Sequence, residues 1–249
     1  MAVLIALLTV IATALGGVIA LKSHQRLHLV LGLSAGLLLG LVAFDLIPAV
    51  FELNTTTVGH VPLVMVVFVI GFLLLHVLER VSGAHEPIDS NLHHAEAHSH
   101  AHSATGVIGA SAMVGHVFLD GVAVGLAFSL NTATGIAVSL AVIAHAFSDG
   151  LNTVSMLIHH GKWESRAKWL LTLDGTARTA GAALGSYVAV SEPFLALYLA
   201  MFAGFLVYLS TSHILPEAHS RHSSRATLFA TIVGVVLMLG IVAITHGAE

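Results

Sequence analysis

The residues best suited to chemistry lie in a six-residue pattern, H-x-F-x-D-G, that occurs twice. One copy begins at His116 and the other at His145, 29 residues later, and their aspartates are Asp120 and Asp149. In each copy the His and Asp are four residues apart, so on a helix they lie on one face, one turn apart. Two such faces turned toward each other would bring two imidazoles and two carboxylates to one point.

Both copies lie within long apolar segments. Of the 249 residues, 57% are hydrophobic and only 9% are charged, whereas soluble domains carry about 25% charged residues. At about 20 residues per crossing, the length accommodates roughly eight membrane helices and no separate soluble domain. We therefore predict an all-α, polytopic membrane bundle of eight helices, with one transmembrane domain over residues 1–249.

The cations between the apolar segments predict the orientation of the chain. Eight of the nine Lys and Arg residues fall in or beside the odd-numbered connections, which the positive-inside rule assigns to the cytoplasm. Both termini are then expected on the extracytoplasmic side of a cell (inner or plasma) membrane. The ninth cation, Arg178, lies inside the sixth segment. The segments are about 2–21, 30–51, 61–81, 105–130, 133–159, 168–190, 193–216 and 226–246.

The third connection, about residues 82–104, is rich in histidine. Six of the 18 histidines lie between His85 and Ser103, mixed with acidic residues and without an apolar pattern. We predict a flexible cytoplasmic loop that binds metal weakly, although a merely solubilising polar loop is the alternative. The candidate loop ligands are His93, His94, His98, His100 and His102.

The remaining composition limits the partners. Cysteine is absent, so any metal must be held by nitrogen and oxygen ligands. The net charge of −4 is small and dispersed, so nothing favours a nucleic-acid partner, and the lipid bilayer is the expected environment.

Two further segments contain a second repeated pattern. Segment two contains D-L-I-P ending at Pro48, segment seven contains H-I-L-P ending at Pro216, and a glycine precedes each proline by 12 residues. Together with the doubled hexapeptide, this predicts a 3+2+3 inverted-repeat organisation, with segments one to three related to six to eight. Such repeats are typical of secondary transporters whose substrate site lies near the membrane midplane.

The two buried aspartates need a compensating interaction. A charge at the bilayer centre costs about 2.5–3.5 kcal/mol on insertion scales. Structural ion pairing, proton relay, a catalytic metal and a transported ion could each offset this cost. A divalent cation would be neutralised by Asp120 and Asp149, and His116 and His145 would complete a four-coordinate shell that suits Zn²⁺ and accepts other first-row divalent ions.

Other polar residues in segments two and seven are candidates for an access route. Asp45 and His213 are repeat counterparts, and His213 and Glu217 are four residues apart near one helix end. With Glu52, these residues could pass metal to and from the site. Alternatively, Glu217 only marks the membrane boundary.

The sequence resembles the ZIP (Zrt-, Irt-like protein) family of divalent metal transporters over nearly its whole length. The stretch HVFLDGVAVGLAFS, which begins at His116, is close to the family pattern H-N-F-x-[DE]-G-x-A-x-G, and the D/H-x-x-P elements of segments two and seven are also similar. The resemblance implies that His116, Asp120, His145 and Asp149 form the primary transport site. It also implies a homodimer and a rigid-body, elevator-like movement of the helices that carry the metal.

The departures from the family pattern predict a site for one metal. Many relatives hold a second metal with ligands at positions that are Val117 and Ala146 here, and with a carboxylate that aligns with Arg178. The Arg178 guanidinium could take the place of the second cation by pairing with Asp120 or Asp149. The alternative is a pair between Arg178 and Asp174, one helical turn away.

The function expected from these features is transport of a divalent transition metal into the cytoplasm, with Zn²⁺ as the leading substrate and Fe²⁺, Mn²⁺ or Cd²⁺ as others. A membrane-embedded metal-dependent hydrolase could use the same ligands to activate water, but it would need a further acid or base that the motifs lack. A proton-coupled channel without metal is the third reading, and the histidine-rich loop counts against it.

Overall fold

The structure is a computed structural model, and it describes residues 1–22, 27–81, 99–150 except 133, 137, 140, 141, 144, 145 and 148, and then 165–221 and 225–246. The described residues follow the eight predicted segments. The continuous helices are α1 (Ala2–Lys22), α3 (Leu63–Val81), α4 (Ser99–Leu130), α6 (Ser165–Ser186) and α8 (Arg225–His246). Helix α5 is represented by the helical residues between 132 and 150.

Helices α2 and α7 are each built from three consecutive pieces. Helix α2 runs as Leu27–Leu41, a π-helical turn Val42–Leu46 and Ile47–Leu53, and α7 runs as Glu192–Leu209, a π-helical turn Ser210–Ile214 and Leu215–Arg221. The two π turns contain Asp45 and His213 and precede the two repeat prolines. Helices predicted to be repeat-related therefore share the same backbone interruption at the same place.

A short antiparallel hairpin joins α2 to α3. Its strands are β1 (Thr57–Val58) and β2 (Val61–Pro62), with Val58 opposite Val61. Gly59 in the connecting turn has a φ of 63°, a conformation that costs glycine nothing. Below the hairpin, the buried Asn54 amide donates a hydrogen bond of 3.3 Å to the Pro193 carbonyl at the start of α7.

The helical, polytopic membrane class predicted from composition is confirmed. Among the described residues, five helices are long and apolar enough to cross a membrane: α1, α2, α3, α7 and α8. Helix α4 contributes a shorter apolar stretch, Val114–Leu130. Helix α6 is less apolar because it includes Asp174 and Arg178, and both of these side chains are buried inside the protein.

The histidine-rich connection is shorter than predicted. The sequence placed a flexible loop over about 82–104, but α4 already begins at Ser99, so the backbone of His100 and His102 is helical. Ala101 lies between these histidines, and no proline or glycine occurs from Ser99 to Thr105, so the apolar helix can extend toward its N-terminus. His93, His94 and His98 lie outside the described residues.

The helices pack as two groups. Helices α1, α4, α5 and α6 form one group, in which α6 packs extensively on α4 and on α1. Helices α2, α3, α7 and α8 form the other, in which α2 packs on α8 and α3 on α7. We name the first group the carrier bundle and the second the frame. Helix α4 of the carrier bundle contacts the frame mainly through α7.

Glycines set the closest helix contacts in both groups. In the carrier bundle Gly121 of α4 lies on α6, and Gly150 of α5 lies on α1. In the frame Gly36 of α2 lies on α8, and Gly204 of α7 lies on α3. At each position a Cβ atom would overlap backbone of the neighbouring helix, so only glycine permits the approach. The predicted repeat relates helices one to three to helices six to eight, and helix four to helix five. It therefore relates the α4–α6 contact to the α5–α1 contact, and the α2–α8 contact to the α7–α3 contact, as the structure shows.

Candidate metal centre

Three of the four predicted ligands meet between α4 and α5. The His116 Nε2 atom lies 3.8 Å from Asp120 Oδ2 and 3.6 Å from Asp149 Oδ1. Both carboxylates are fully buried, and one ligand atom from each of the three residues lies within 4.8 Å of the others. The α-helical spacing of four residues places His116 above Asp120, and the second hexapeptide supplies Asp149 from the facing helix.

The separations suit a small divalent ion. Zn²⁺ binds nitrogen and oxygen ligands at about 2.0–2.2 Å, so two ligands of a tetrahedral ion are about 3.3 Å apart. The two distances from His116 Nε2, 3.6 Å and 3.8 Å, exceed that value only slightly. Small side-chain rotations would therefore close the three groups on one ion. The fourth predicted ligand, His145, lies outside the described residues.

The Arg178 guanidinium lies between the two carboxylates. Its Nη2 atom donates a hydrogen bond of 2.8 Å to Asp149 Oδ2 and lies 3.3 Å from Asp120 Oδ2. The arginine side chain is 1% exposed, so these are ion pairs in a region that excludes water. Within the described part of the chain, the ion pairs of Arg178 are with these two aspartates, whereas the sequence also allowed a pair with Asp174.

The glycine that ends each hexapeptide positions the aspartate before it. Gly121 lies against the backbone carbonyl of Arg178, and Gly181 of α6 lies in turn against the carbonyl of Phe118. This reciprocal contact brings α6 close enough for its arginine to reach Asp120. In the second copy, Gly150 lies against the carbonyl of Thr13 in α1 and fixes the depth of Asp149.

Two aromatic residues of α7 connect the frame to the site. The Phe202 ring stacks on the His116 imidazole with ring centroids 5.4 Å apart and planes 8° from parallel. One helical turn away, the Tyr198 hydroxyl donates a hydrogen bond of 2.6 Å to the carbonyl of Leu119. These contacts orient the imidazole and hold α4 in one position along α7.

A second polar cluster lies in the frame, at the end of α3 that carries Arg80. Glu79 Oε2 accepts a hydrogen bond of 2.5 Å from the Tyr208 hydroxyl and lies 2.9 Å from His213 Nε2. The His76 Nδ1 atom is 3.3 Å from the same Tyr208 oxygen. The π turn of α7 presents His213 to α3, so this predicted route residue meets a carboxylate that the sequence analysis did not single out.

The other predicted route residues are more dispersed. Asp45 is half-buried in the π turn of α2, whereas the Glu52 and Glu217 side chains are exposed. Their surroundings therefore support Asp45 more than the two glutamates as part of a path through the protein.

Sequence reasoning missed Glu79, Tyr198 and Phe202. Glu79 is followed by Arg80 at the end of an apolar segment, a pattern typical of a membrane boundary. A spacing of four residues between Tyr198 and Phe202 places them on one face of α7, but an aromatic pair in an apolar helix is ordinary packing. The remaining signal was that Tyr198 carries a hydroxyl in a segment with few other polar groups.

Comparison with known proteins agrees with this architecture. A sequence profile of the ZIP zinc transporter family matches residues 82–242, which include α4 to α7 and most of α8. The chain is also similar to a protein named zinc transporter ZupT from Corynebacterium aurimucosum, with 27% identity over 250 residues that cover 93% of this chain and 92% of that protein.

Proposed function

Since the chain belongs to the ZIP family of metal transporters, we propose that it carries Zn²⁺ into the cytoplasm and that His116, Asp120, His145 and Asp149 hold the ion in transit. The family consists of transporters, so the protein is not an enzyme and the hydrolase reading is discarded. Divalent metal transport is common to the family, and zinc is the substrate named for the ZupT relative. Fe²⁺, Mn²⁺ and Cd²⁺ are further candidate substrates because N/O ligand sets discriminate poorly among divalent ions.

The observation that carries the proposal is the convergence of three ligand groups in a buried position. His116, Asp120 and Asp149 come from two helices and lie within 4.8 Å of one another. Two carboxylates match the charge of a divalent cation, and their burial would otherwise be costly in a membrane. Residues at this depth with this chemistry are expected on an ion pathway rather than in a purely structural role.

We propose that the site holds one metal. In this arrangement, Arg178 occupies the side of the carboxylates on which many relatives place a second cation, and Val117 and Ala146 offer no ligand atoms there. Both of these side chains are fully buried, Val117 in α4 and Ala146 in α5. Their apolar surfaces would leave a second ion without enough ligands.

For the movement, we propose an elevator in which the carrier bundle shifts as a unit along the frame. The support is that every described ligand and Arg178 belong to the carrier bundle, so a rigid shift would move the site without dismantling it. In the described part of the chain, contacts across the boundary include those of Tyr198 and Phe202 with α4, which such a shift would exchange for others. We further propose that the protein is a homodimer with both termini extracytoplasmic, as its family resemblance and cation distribution imply.

The proposed route on the cytoplasmic side includes Glu79 and His213, with Glu217 at the surface. Asp45, the repeat counterpart of His213, lies toward the extracytoplasmic end of α2 and is the candidate for the route on that side. Glu79 and His213 offer one carboxylate and one imidazole 2.9 Å apart, which suits transient binding of an ion released by the site. The loop histidines, including those at 93 and 94, would raise the local metal concentration beyond this route.

Zinc uptake into proteoliposomes tests the proposal. Asp120→Ala removes one ligand, and we expect uptake to fall by on the order of 10–100-fold or more, since losing even a supporting group of a metal site has that effect. Thr176→Ala is the matched control, because this threonine is on α6 but its exposed hydroxyl donates to the Leu173 carbonyl of its own helix. Uptake that survives Asp120→Ala unchanged would refute the proposed site.

A further inference from the structure

Arg178 makes an unusual use of its guanidinium. Arginine normally binds carboxylates through two parallel N–H donors, which is what makes such pairs strong. Here a single atom, Nη2, lies between two different carboxylates at 2.8 Å and 3.3 Å. Within the described part of the chain, the buried Nη1 atom has no hydrogen-bond partner. The arginine therefore acts almost as a point charge, and a buried donor without a partner weakens its hold.

The atoms that Arg178 contacts overlap with the atoms that a metal needs. Asp120 Oδ2 is 3.3 Å from Arg178 Nη2 and also faces His116 Nε2 at 3.8 Å. Asp149 differs, because its Oδ2 atom binds the arginine while its Oδ1 atom faces His116. An ion held by His116 and both aspartates would displace the guanidinium from Asp120 but could leave it on Asp149.

Charge explains why a transporter would keep such a residue. With neutral imidazoles, two carboxylates alone give the metal-free site a charge of −2, and Arg178 reduces this to −1. The cost of a buried charge rises with its square, so the arginine lowers the desolvation cost of the empty site roughly fourfold. With a divalent ion bound, the ion, the two carboxylates and Arg178 sum to +1, so the arginine gives the empty and the loaded site charges of equal magnitude instead of −2 and 0.

On the basis of the proposed transport function, we propose that Arg178 is a tethered exchange cation. Its guanidinium bridges Asp120 and Asp149 in the empty carrier, releases Asp120 when metal binds and returns when metal leaves. In this way it allows the empty carrier bundle to move back along the frame. Arg178 is thus a positioning residue for the return half of the transport cycle rather than a ligand of the metal.

Two flux measurements on the full-length protein separate this role from a structural one. Net zinc uptake into zinc-free proteoliposomes requires the empty carrier to return, whereas exchange of radioactive zinc into zinc-loaded proteoliposomes does not. For Arg178→Gln we expect net uptake to fall by about tenfold or more, while exchange stays within about threefold of the wild-type rate. The return of a positive charge in Arg178→Lys should restore most of the net uptake, because the arginine works through a single nitrogen.

The outcomes are distinguishable from failure of the transport proposal. If the wild-type protein performs neither uptake nor exchange, the proposed function itself fails. If Arg178→Gln lowers net uptake and exchange equally, or changes neither, in a protein with the wild-type melting temperature, the exchange-cation role is overturned. Arg178→Met provides a second neutral variant if the glutamine variant does not fold, and Thr176→Ala again serves as the control on α6.

Discussion

The carrier bundle and the frame are packed in the same way but place polar groups differently. Both rely on glycines that let helix backbones touch, at Gly121 and Gly150 in one and at Gly36 and Gly204 in the other. Among the described side chains, however, the four buried charged residues all belong to the carrier bundle: Asp120, Asp149, Asp174 and Arg178. In the frame, the corresponding buried polar groups of the helices are hydroxyls, such as that of Ser210.

Backbone irregularities show the opposite distribution, because they lie in the frame and not in the carrier bundle's described helices α4 and α6. Both π turns lie in the frame, in α2 and α7, whereas α4 and α6 are continuous over their described lengths. Regular helices hold the ligands at fixed spacing, and the irregular turns present Asp45 and His213 from the frame. A rigid site on one body and adaptable polar groups on the other is the division of labour expected if one body moves the ion and the other guides it.

The largest expected effect comes from disturbing the glycine contact beside the site. In Gly121→Ala the new methyl group would meet the Arg178 carbonyl, and such overpacking typically costs about 1–3 kcal/mol. We expect a lower melting temperature and, because α6 is pushed from Asp120, weaker zinc binding in equilibrium dialysis. Gly36→Ala in the frame should lower the melting temperature similarly but leave zinc binding intact.

Gly115→Ala is the matched control, since a Cβ there would meet no described residue within 4 Å. If Gly36→Ala weakened zinc binding as much as Gly121→Ala does, the separation of roles between the two bundles would be wrong.

An intermediate effect is expected at the polar cluster of the frame. Glu79→Gln keeps the shape of the side chain but removes the negative charge that His213 and Tyr208 share. We expect zinc uptake to fall by about threefold to tenfold, because the neutral amide keeps hydrogen bonds that are weaker by about 1 kcal/mol than those to a charged group, while zinc affinity at the central site is unchanged. Thr211→Ala, an exposed neighbour whose hydroxyl bonds Val207 in its own helix, should have no effect. Loss of zinc affinity in Glu79→Gln would contradict the assignment of this residue to the route.

The smallest effect is expected at the boundary between the bundles. Tyr198→Phe removes only the hydrogen bond to Leu119, a contact worth about 1 kcal/mol. In the proposed elevator movement the carrier bundle breaks this contact, so zinc exchange should become faster, by no more than about fivefold. Tyr187→Phe is the control, because that tyrosine is 89% exposed at the end of α6. Exchange that is slower in Tyr198→Phe would indicate that the contact forms during movement instead.

The sequence predicted the parts of this molecule that depend on local spacing. The four-residue interval between His116 and Asp120 places both on one helix face, and the run lengths give eight helical segments. The sequence could not show whether Arg178 pairs with Asp120 and Asp149 or with Asp174, which lies one turn away on the same helix. Only the close packing of α6 on Gly121 decides that choice, and it depends on contacts between segments distant in the chain.

The role of Glu79, the π turns and the start of α4 could not be predicted from local sequence. Glu79 has the position of a boundary residue, and its contact with His213 forms only when α3 packs on α7. The prolines at 48 and 216 identified the repeat but not the π turn that precedes each of them, because a π turn differs from regular helix only in its hydrogen bonding. The start of α4 was placed too late because polar histidines obscured a stretch that remains helical.

The most direct test of the central claim is a count of zinc ions bound to the full-length protein after the loop histidines have been replaced by asparagine. A site made by His116, Asp120, His145 and Asp149, with Arg178 in place of a second cation, should bind one zinc per chain in equilibrium dialysis. Two zinc ions per chain with Arg178 intact, or none after only the loop is changed, would contradict the account.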